Sequence, residues 1–370
     1  MHNILRLGAA LLAAALCFPA QGRGDDAVKH AAELHKTIIS MDTHTDTAVE
    51  MYRGKNPDSL QVNLKKMRQG GMDAVFFATY IAQRKRDDAT LAKKTAYAEK
   101  VIANFKKYAD EHSDEIGIAY TADDVRRLKK EGKLIGIMAI ENGYALGKDI
   151  ANVKKFYDMG VRYITLSHNN NNDVCDAAVT RDEPKYGFKK GPEWHGLSPF
   201  GYEVVKEMNR LGIMIDISHT SAETVADCLE ASKAPIIASH SCCAALKDHP
   251  RNLTDGQIKA IAAGGGLVQV TTYWEFLGES GADASVKCFC DHVEHVRDLV
   301  GVEHVGFGSD FDGGGEMTEV EDSSQIQKIT VELIRRGWSD EEIGLFWGGN
   351  VLRVMEEVAA VAEKIQSQNK

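Results

Sequence analysis

The sequence has no surplus of positive charge. Lys and Arg number 44 against 54 Asp and Glu, a formal net charge of -10, and the basic runs alternate with acidic residues instead of clustering. Neutralising a phosphate backbone requires clustered Lys and Arg, so the composition argues against a nucleic-acid partner. The chain also lacks a hydrophobic run long enough to span a bilayer comfortably, the apolar stretch at 7–15 being too short. No segment rich in proline, serine and glycine divides it, which predicts one domain over residues 23–370. Cys175, Cys228, Cys242, Cys243, Cys288 and Cys290 lack the spacing of a zinc ribbon. They read as structural or free thiols, and an even count does not give connectivity.

What is present is an ordinary globular composition, 44% hydrophobic and 26% charged over 370 residues, enough to bury a large core. A small-molecule or peptide partner is the expectation. Residues 1–22 carry Arg6, the apolar stretch and a small-x-small site at Ala20-Gln21-Gly22. They read as a secretory signal and predict an exported protein, periplasmic or secreted. Cys17 would suit a lipoprotein, but Leu16 before it is bulkier than such sites normally take.

Beyond the signal, short apolar β-branched runs alternate with longer amphipathic charged segments. Strands are predicted at 38–42, 72–80, 134–140, 163–166, 214–217, 236–238, 266–271 and 304–308. Eight runs alternating with helices predict an α/β fold with a parallel sheet closed into a (β/α)8 TIM barrel. Helix signals support this: a segment at 200–210 stops at Gly212, Thr254 or Asp255 caps another, and Ser339-x-x-Glu342 is a capping box. Two connections are long, 82–133 and 169–195, and the second, rich in Asn, Gly and Pro, is placed to act as a lid.

In such a barrel the chemistry sits where the chain leaves the C-terminal ends of the strands. Those positions are polar here: Asp42-Thr43-His44-Thr45-Asp46 after strand one, Glu141-Asn142 after three, His168 after four, His219 after five, His240 after six and Asp310 after eight. Alone, each is a weak signal, since an aspartate such as Asp46 also caps helices and a single histidine is more often a hydrogen-bonded rim residue. Five potential ligands converging on one face point to a metal site, and imidazole with carboxylate is a donor set for zinc. A calcium-loop pattern at Asp310, Asp312, Gly315 and Glu321 fails at its fifth position, Gly314, and follows a strand, not a helix.

DTHTD, IENG, LSHNNNND, HGLSPFG leading to EMNRLGIMIDISH, ASHS and GSDFDG, in that order from about residue 35 to about residue 350, resemble the membrane dipeptidase (renal-type dipeptidase) family. The resemblance implies a barrel of the metal-dependent amidohydrolase type with two zinc ions. By position it implies that His44 and Asp46 bind one zinc, that His219 and His240 bind the other, and that Glu141 bridges both together with a water or hydroxide, in the place where related barrels use a carboxylated lysine. It further implies that Asp310 shuttles the proton from the attacking water to the leaving amine, that His168 meets the carbonyl oxygen as it becomes an oxyanion, and that Arg251 receives the carboxylate of a dipeptide substrate with Tyr273 as a companion. The implied reaction is attack of the bridging hydroxide on the peptide carbonyl. Family members are often dimers, so a homodimer is expected.

Two departures stand out. The polar end, Glu363-Lys364-Ile365-Gln366-Ser367-Gln368-Asn369-Lys370, offers no hydrophobic tail to exchange for the glycolipid anchor of mammalian members, which predicts a soluble enzyme. The family's half-cystines have no obvious counterparts. Two rival expectations remain: hydrolysis of another small amide, lactam or lactone, and a metal-stabilised binding protein without catalysis, against which Asp310 speaks.

Overall fold

The computed structural model describes residues 20–368, with side chains from residue 26. The predicted signal lies outside these residues except for its last three, and Cys17 lies outside them.

Nine parallel strands are present among the described residues: β1 Met41–Thr45, β2 Ala74–Tyr80, β3 Ile116–Ile118, β4 Leu134–Glu141, β5 Val161–Thr165, β6 Met214–Asp216, β7 Ile236–Ser241, β8 Leu267–Val270 and β9 Val305–Phe307. Their order is β1-β2-β4-β5-β6-β7-β8-β9, so successive strands are neighbours with helices returning between most of them. The ring closes where Thr45 bridges Phe311, Asp46 N donating to Phe311 O at 2.9 Å and Asp310 N to His44 O at 2.9 Å. This is the eight-stranded barrel expected from the sequence.

The ninth strand is an addition. β3 pairs with Leu134–Gly136 at the start of β4, while β5 pairs with the end of the same strand from Met138 onward. Three residues are too few to display a period. Strand ends differ from the prediction by one or two residues in most strands and by three in β1 and β7. Ile38 N still bonds Leu34 O of the preceding helix, so β1 begins at Met41 and contains His44, and β7 runs on far enough to contain His240.

Inside the barrel, side chains alternate in layers. Met41, Tyr163, Met214, Ile237 and Leu267 belong to an apolar cluster with Val351, Leu352, Met355 and Val358 of the helix Asn350–Gln368, which stops the N-terminal end of the barrel. Two residues further along the same strands come Thr43, Thr165, Asp216, Ser239 and Gln269, all fully buried or within 1% of it. The interior thus changes from apolar to polar within one strand repeat, just below the C-terminal rim.

The barrel is pinched at this level. Thr43 Oγ1 donates to Ser239 O at 2.8 Å and lies 3.0 Å from Phe307 O. Gly308 makes the approach feasible, because a Cβ there would stand 1.9 Å from Ser239 O and 2.7 Å from Thr43 Oγ1.

The long connection after β5 is held by its own asparagines. Asn172 Oδ1 accepts from Val174 N and Cys175 N, Asn171 Oδ1 from Ala177 N and Asn170 Oδ1 from Arg181 N. Short amides replace a backbone ladder here.

Gly308→Ala is expected to cost about 1–3 kcal/mol or more by overpacking, because the obstructing atom is backbone. Gly256→Ala, in a helix with only Thr254 Oγ1 at 3.9 Å, is expected to gain about 0.4–1 kcal/mol. Urea denaturation of the two variants checks both signs.

Candidate metal centre

β1 delivers two of the predicted site residues. His44 lies within the strand, and Asp46 follows it at the position preceding the helix Thr47–Tyr52. An aspartate there ordinarily accepts a helix N–H, but Asp46 makes no side-chain cap bond, and its Oδ1 is buried without a partner. The capping alternative is not realised, and the carboxylate faces the site instead.

Glu141, the last residue of β4, stands at the centre. Its Oε1 is 3.1 Å from His219 Nε2, 3.7 Å from His240 Nε2 and 3.8 Å from His168 Nε2. Its Oε2 is 3.6 Å from His44 Nε2, and that nitrogen is 3.8 Å from Asp310 Oδ1. His44, Glu141 and His240 form one group of close ligand atoms, and Glu141, His168 and His219 form another. Glu141 is the member common to both.

Backbone geometry aims several of these groups. Asn142, His219 and Asp310 adopt φ of 87°, 70° and 66°, a region that costs a non-glycine residue roughly 1–2 kcal/mol. Such strain concentrates where side chains must converge.

Burial dominates the electrostatics. Asp46 and Glu141 are each pushed up to about 8, Asp46 additionally by repulsion from Glu141, while Arg251 opposes the shift at Glu141. Asp310 is raised well above the usual carboxylate range, again chiefly by burial. His219 and His240 are held well below the ordinary imidazole value and His168 is lowered to about 3, in each case by burial first. Neutral imidazoles therefore face acids that are costly to ionise without a compensating cation.

The residues fit such a cation. His44 Nε2, His240 Nε2 and Asp46 Oδ1 are buried without a hydrogen-bond partner, and the donor set is nitrogen and oxygen, which suits zinc. None of the six described cysteines is bridged or joins the cluster, and all but Cys288 are buried. The calcium-loop alternative finds no support, since Asp312 Oδ1 accepts from Gln61 N at 2.9 Å and its Oδ2 from Thr47 Oγ1 at 2.5 Å.

A cavity of about 380 Å³ opens above the cluster, with Asp46, Glu141, His168, His219 and Asp310 on its walls together with Arg251 and Tyr273. Arg251 is 4% exposed. Its Nη2 donates to His240 O at 3.3 Å, its guanidinium lies 5.2 Å from the Phe276 ring centroid, and its Nε has no partner. Burial lowers Arg251 to about 10, so it stays charged at neutral pH. Tyr273 packs edge-on against Phe276 at 4.7 Å.

All nine predicted site residues thus lie in or around one cavity. Sequence reasoning missed Tyr80, His249 and Phe276, which also line it. Tyr80 ends β2 and was within reach of the strand-end rule. Phe276 belongs to a four-residue helix, Trp274–Leu277, too short to announce itself.

Residues 28–369 match the sequence profile of the membrane dipeptidase family, peptidase family M19. Dipeptidase verJ of Clonostachys rogersoniana is 32% identical over 362 residues, covering 92% of this chain and 90% of that protein. Dipeptidase 3 of Rattus norvegicus is 33% identical over 352 residues, 92% of this chain and 69% of the rat protein. The crystal structure of the probable dipeptidase PvdM from Pseudomonas aeruginosa superposes with a TM-score of 0.84 at 28% identity, covering 91% of this chain and 100% of that one. The chain belongs to the membrane dipeptidase family, peptidase family M19.

Proposed function

We propose that this protein is an exported dipeptidase that works with two zinc ions. The observation that carries the reading is the meeting of unpartnered ligand atoms around Glu141 in a cavity whose wall also holds a buried, charged Arg251. His44 and Asp46 would hold one ion and His219 and His240 the other, with Glu141 shared. When bound, a zinc pair supplies a water acidified toward neutral pH and draws electrons from the scissile carbonyl.

The chain's own groups do the rest. Asp310, whose Oδ1 is 3.8 Å from His44 Nε2, would take the proton released during attack and return it to the departing amine. His168 is neutral, so it has one N–H to donate to the carbonyl oxygen as negative charge develops there. Arg251 has an uncommitted Nε–H, and its planar fork suits the C-terminal carboxylate of a dipeptide. Tyr273 flanks that position. Export rests on residues 1–22.

Elemental analysis of the purified protein is expected to give about two zinc ions per chain, with dipeptide hydrolysis lost on chelation. Arg251→Ala is expected to weaken dipeptide binding by about 2–5 kcal/mol, raising KM roughly 30-fold or more. An unchanged KM would instead favour another small amide, a lactam or a lactone as substrate. Asp310→Asn is expected to keep its metal and lower kcat by about 10²–10⁴, measured as kcat beside metal content.

A further inference from the structure

Below the ligand cluster lies a polar chain that the hydrolytic roles leave unused. Tyr163 on β5, Asp216 on β6 and Ser239 on β7 are all 0% exposed. Asp216 and Ser239 belong to the IDISH and ASHS motifs, beside His219 and His240.

Proton counting gives this chain one direction. His44 Nε2 and His240 Nε2 face the site without a protein partner, so a cation there takes both lone pairs and each ring keeps its proton on Nδ1. His44 Nδ1–H then donates to Tyr163 Oη at 2.7 Å, and His240 Nδ1–H donates to Ser239 Oγ at 2.8 Å. Ser239 Oγ–H donates to Asp216 Oδ2 at 2.6 Å, which commits its only proton. A lone pair of Ser239 is left to accept from His240, and Tyr163 accepts from His44.

Asp216 is itself fixed. Its Oδ1 accepts from Ser218 N at 3.1 Å and Ser239 N at 2.8 Å, and its Oδ2 also accepts from Thr165 Oγ1 at 2.5 Å.

We propose that Asp216, acting through Ser239, is the positioning group for His240, while His44 is positioned separately by Tyr163. The buried carboxylate would then set the tautomer and ring orientation of one ligand without touching the other. The proposal rests on the two-ion reading above. Outer partners of this kind orient metal-bound histidines and raise their basicity, and losing one costs about 10–100-fold in metal affinity.

The relay reaches His240 and not His44, and that difference makes it testable without measuring activity. Zinc affinity of the full chain is measured by competition with a chromophoric chelator, alongside circular dichroism of each metal-free variant. Ser239→Ala cuts the relay to His240 and is expected to weaken one ion by about 10–100-fold and spare the other. Tyr163→Phe removes the partner of His44 and is expected to weaken the ion that Ser239→Ala spares. In proton NMR, two downfield imidazole N–H resonances are expected to change on zinc loading, Ser239→Ala shifting one and Tyr163→Phe the other. Wild type binding two ions while Ser239→Ala binds both as tightly overturns the relay alone, as does a Ser239→Ala variant that weakens the two ions equally. Wild type that takes up no metal overturns the two-ion reading and the relay with it.

Discussion

A carboxylate buried among imidazoles is the constraint on which the rest of the site depends. Glu141 is 3% exposed, has four histidine nitrogens within 3.8 Å, and shares its cavity with Asp46 and Asp310. Arg251 is the buried cation among the charged groups on that cavity wall, and it opposes the acids only partly. Burial therefore pushes all three acids toward their protonated forms. A compact dication reverses that balance, since it ionises the acids and uses the imidazole lone pairs together. The fold tolerates the arrangement because the cost of dehydrating these groups is returned on binding a metal.

Two aspartate clamps hold the ligand-bearing strand ends in place. Asp42 Oδ1 accepts from His44 N at 3.1 Å and Ser309 N at 2.9 Å, and its Oδ2 accepts from Ser309 Oγ at 2.5 Å. Asp216 repeats the pattern, taking the N–H two residues ahead of it and both donors of a serine on the adjoining strand. The first clamp ties the strand of His44 to the turn that carries Asp310. The second ties the approach to His219 to the strand of His240. Each clamp joins segments distant in the chain, so the ligands are located by barrel closure and not by local structure. Charge-assisted bonds to backbone N–H suit this role, being short and directional.

Much of this was legible in the sequence for a simple reason. A strand alternates with period two, and in a barrel the chemistry follows the strands, so reading the residues after each apolar run found His44, Asp46, Glu141, His168, His219, His240 and Asp310. The same rule carries no information about partners across strands. Asp216 and Ser239 sat inside the quoted motifs, yet their pairing depends on the register Asp216↔Ile237 between β6 and β7, which no single run encodes. β3 escaped because Ile116-Gly117-Ile118 is too short for a period, and the start of β1 was misplaced because Ile38 and Ile39 are as apolar as a strand while the preceding helix still holds Ile38. The connection 169–195 reads as a lid from its composition, and its Asn169 and Val179 do line the cavity; which backbone N–H each asparagine amide reaches is not encoded in the run.

The placement of Arg251 completes the electrostatic logic. Its charge is held on the cavity wall by a backbone carbonyl and an aromatic face, with the acids Glu141 and Asp310 near enough to raise its pKa against the effect of burial. A cavity of about 380 Å³ with acids and imidazoles at its base and one fixed guanidinium on its side is complementary to a short molecule carrying an anionic end close to a polar, electron-poor centre. Lengthening that molecule moves its anionic end away from the guanidinium while the reacting centre stays at the base. If Arg251 receives that anionic end as proposed, discrimination by chain length would follow from its separation from Glu141, with side-chain preference left to the loops that roof the cavity.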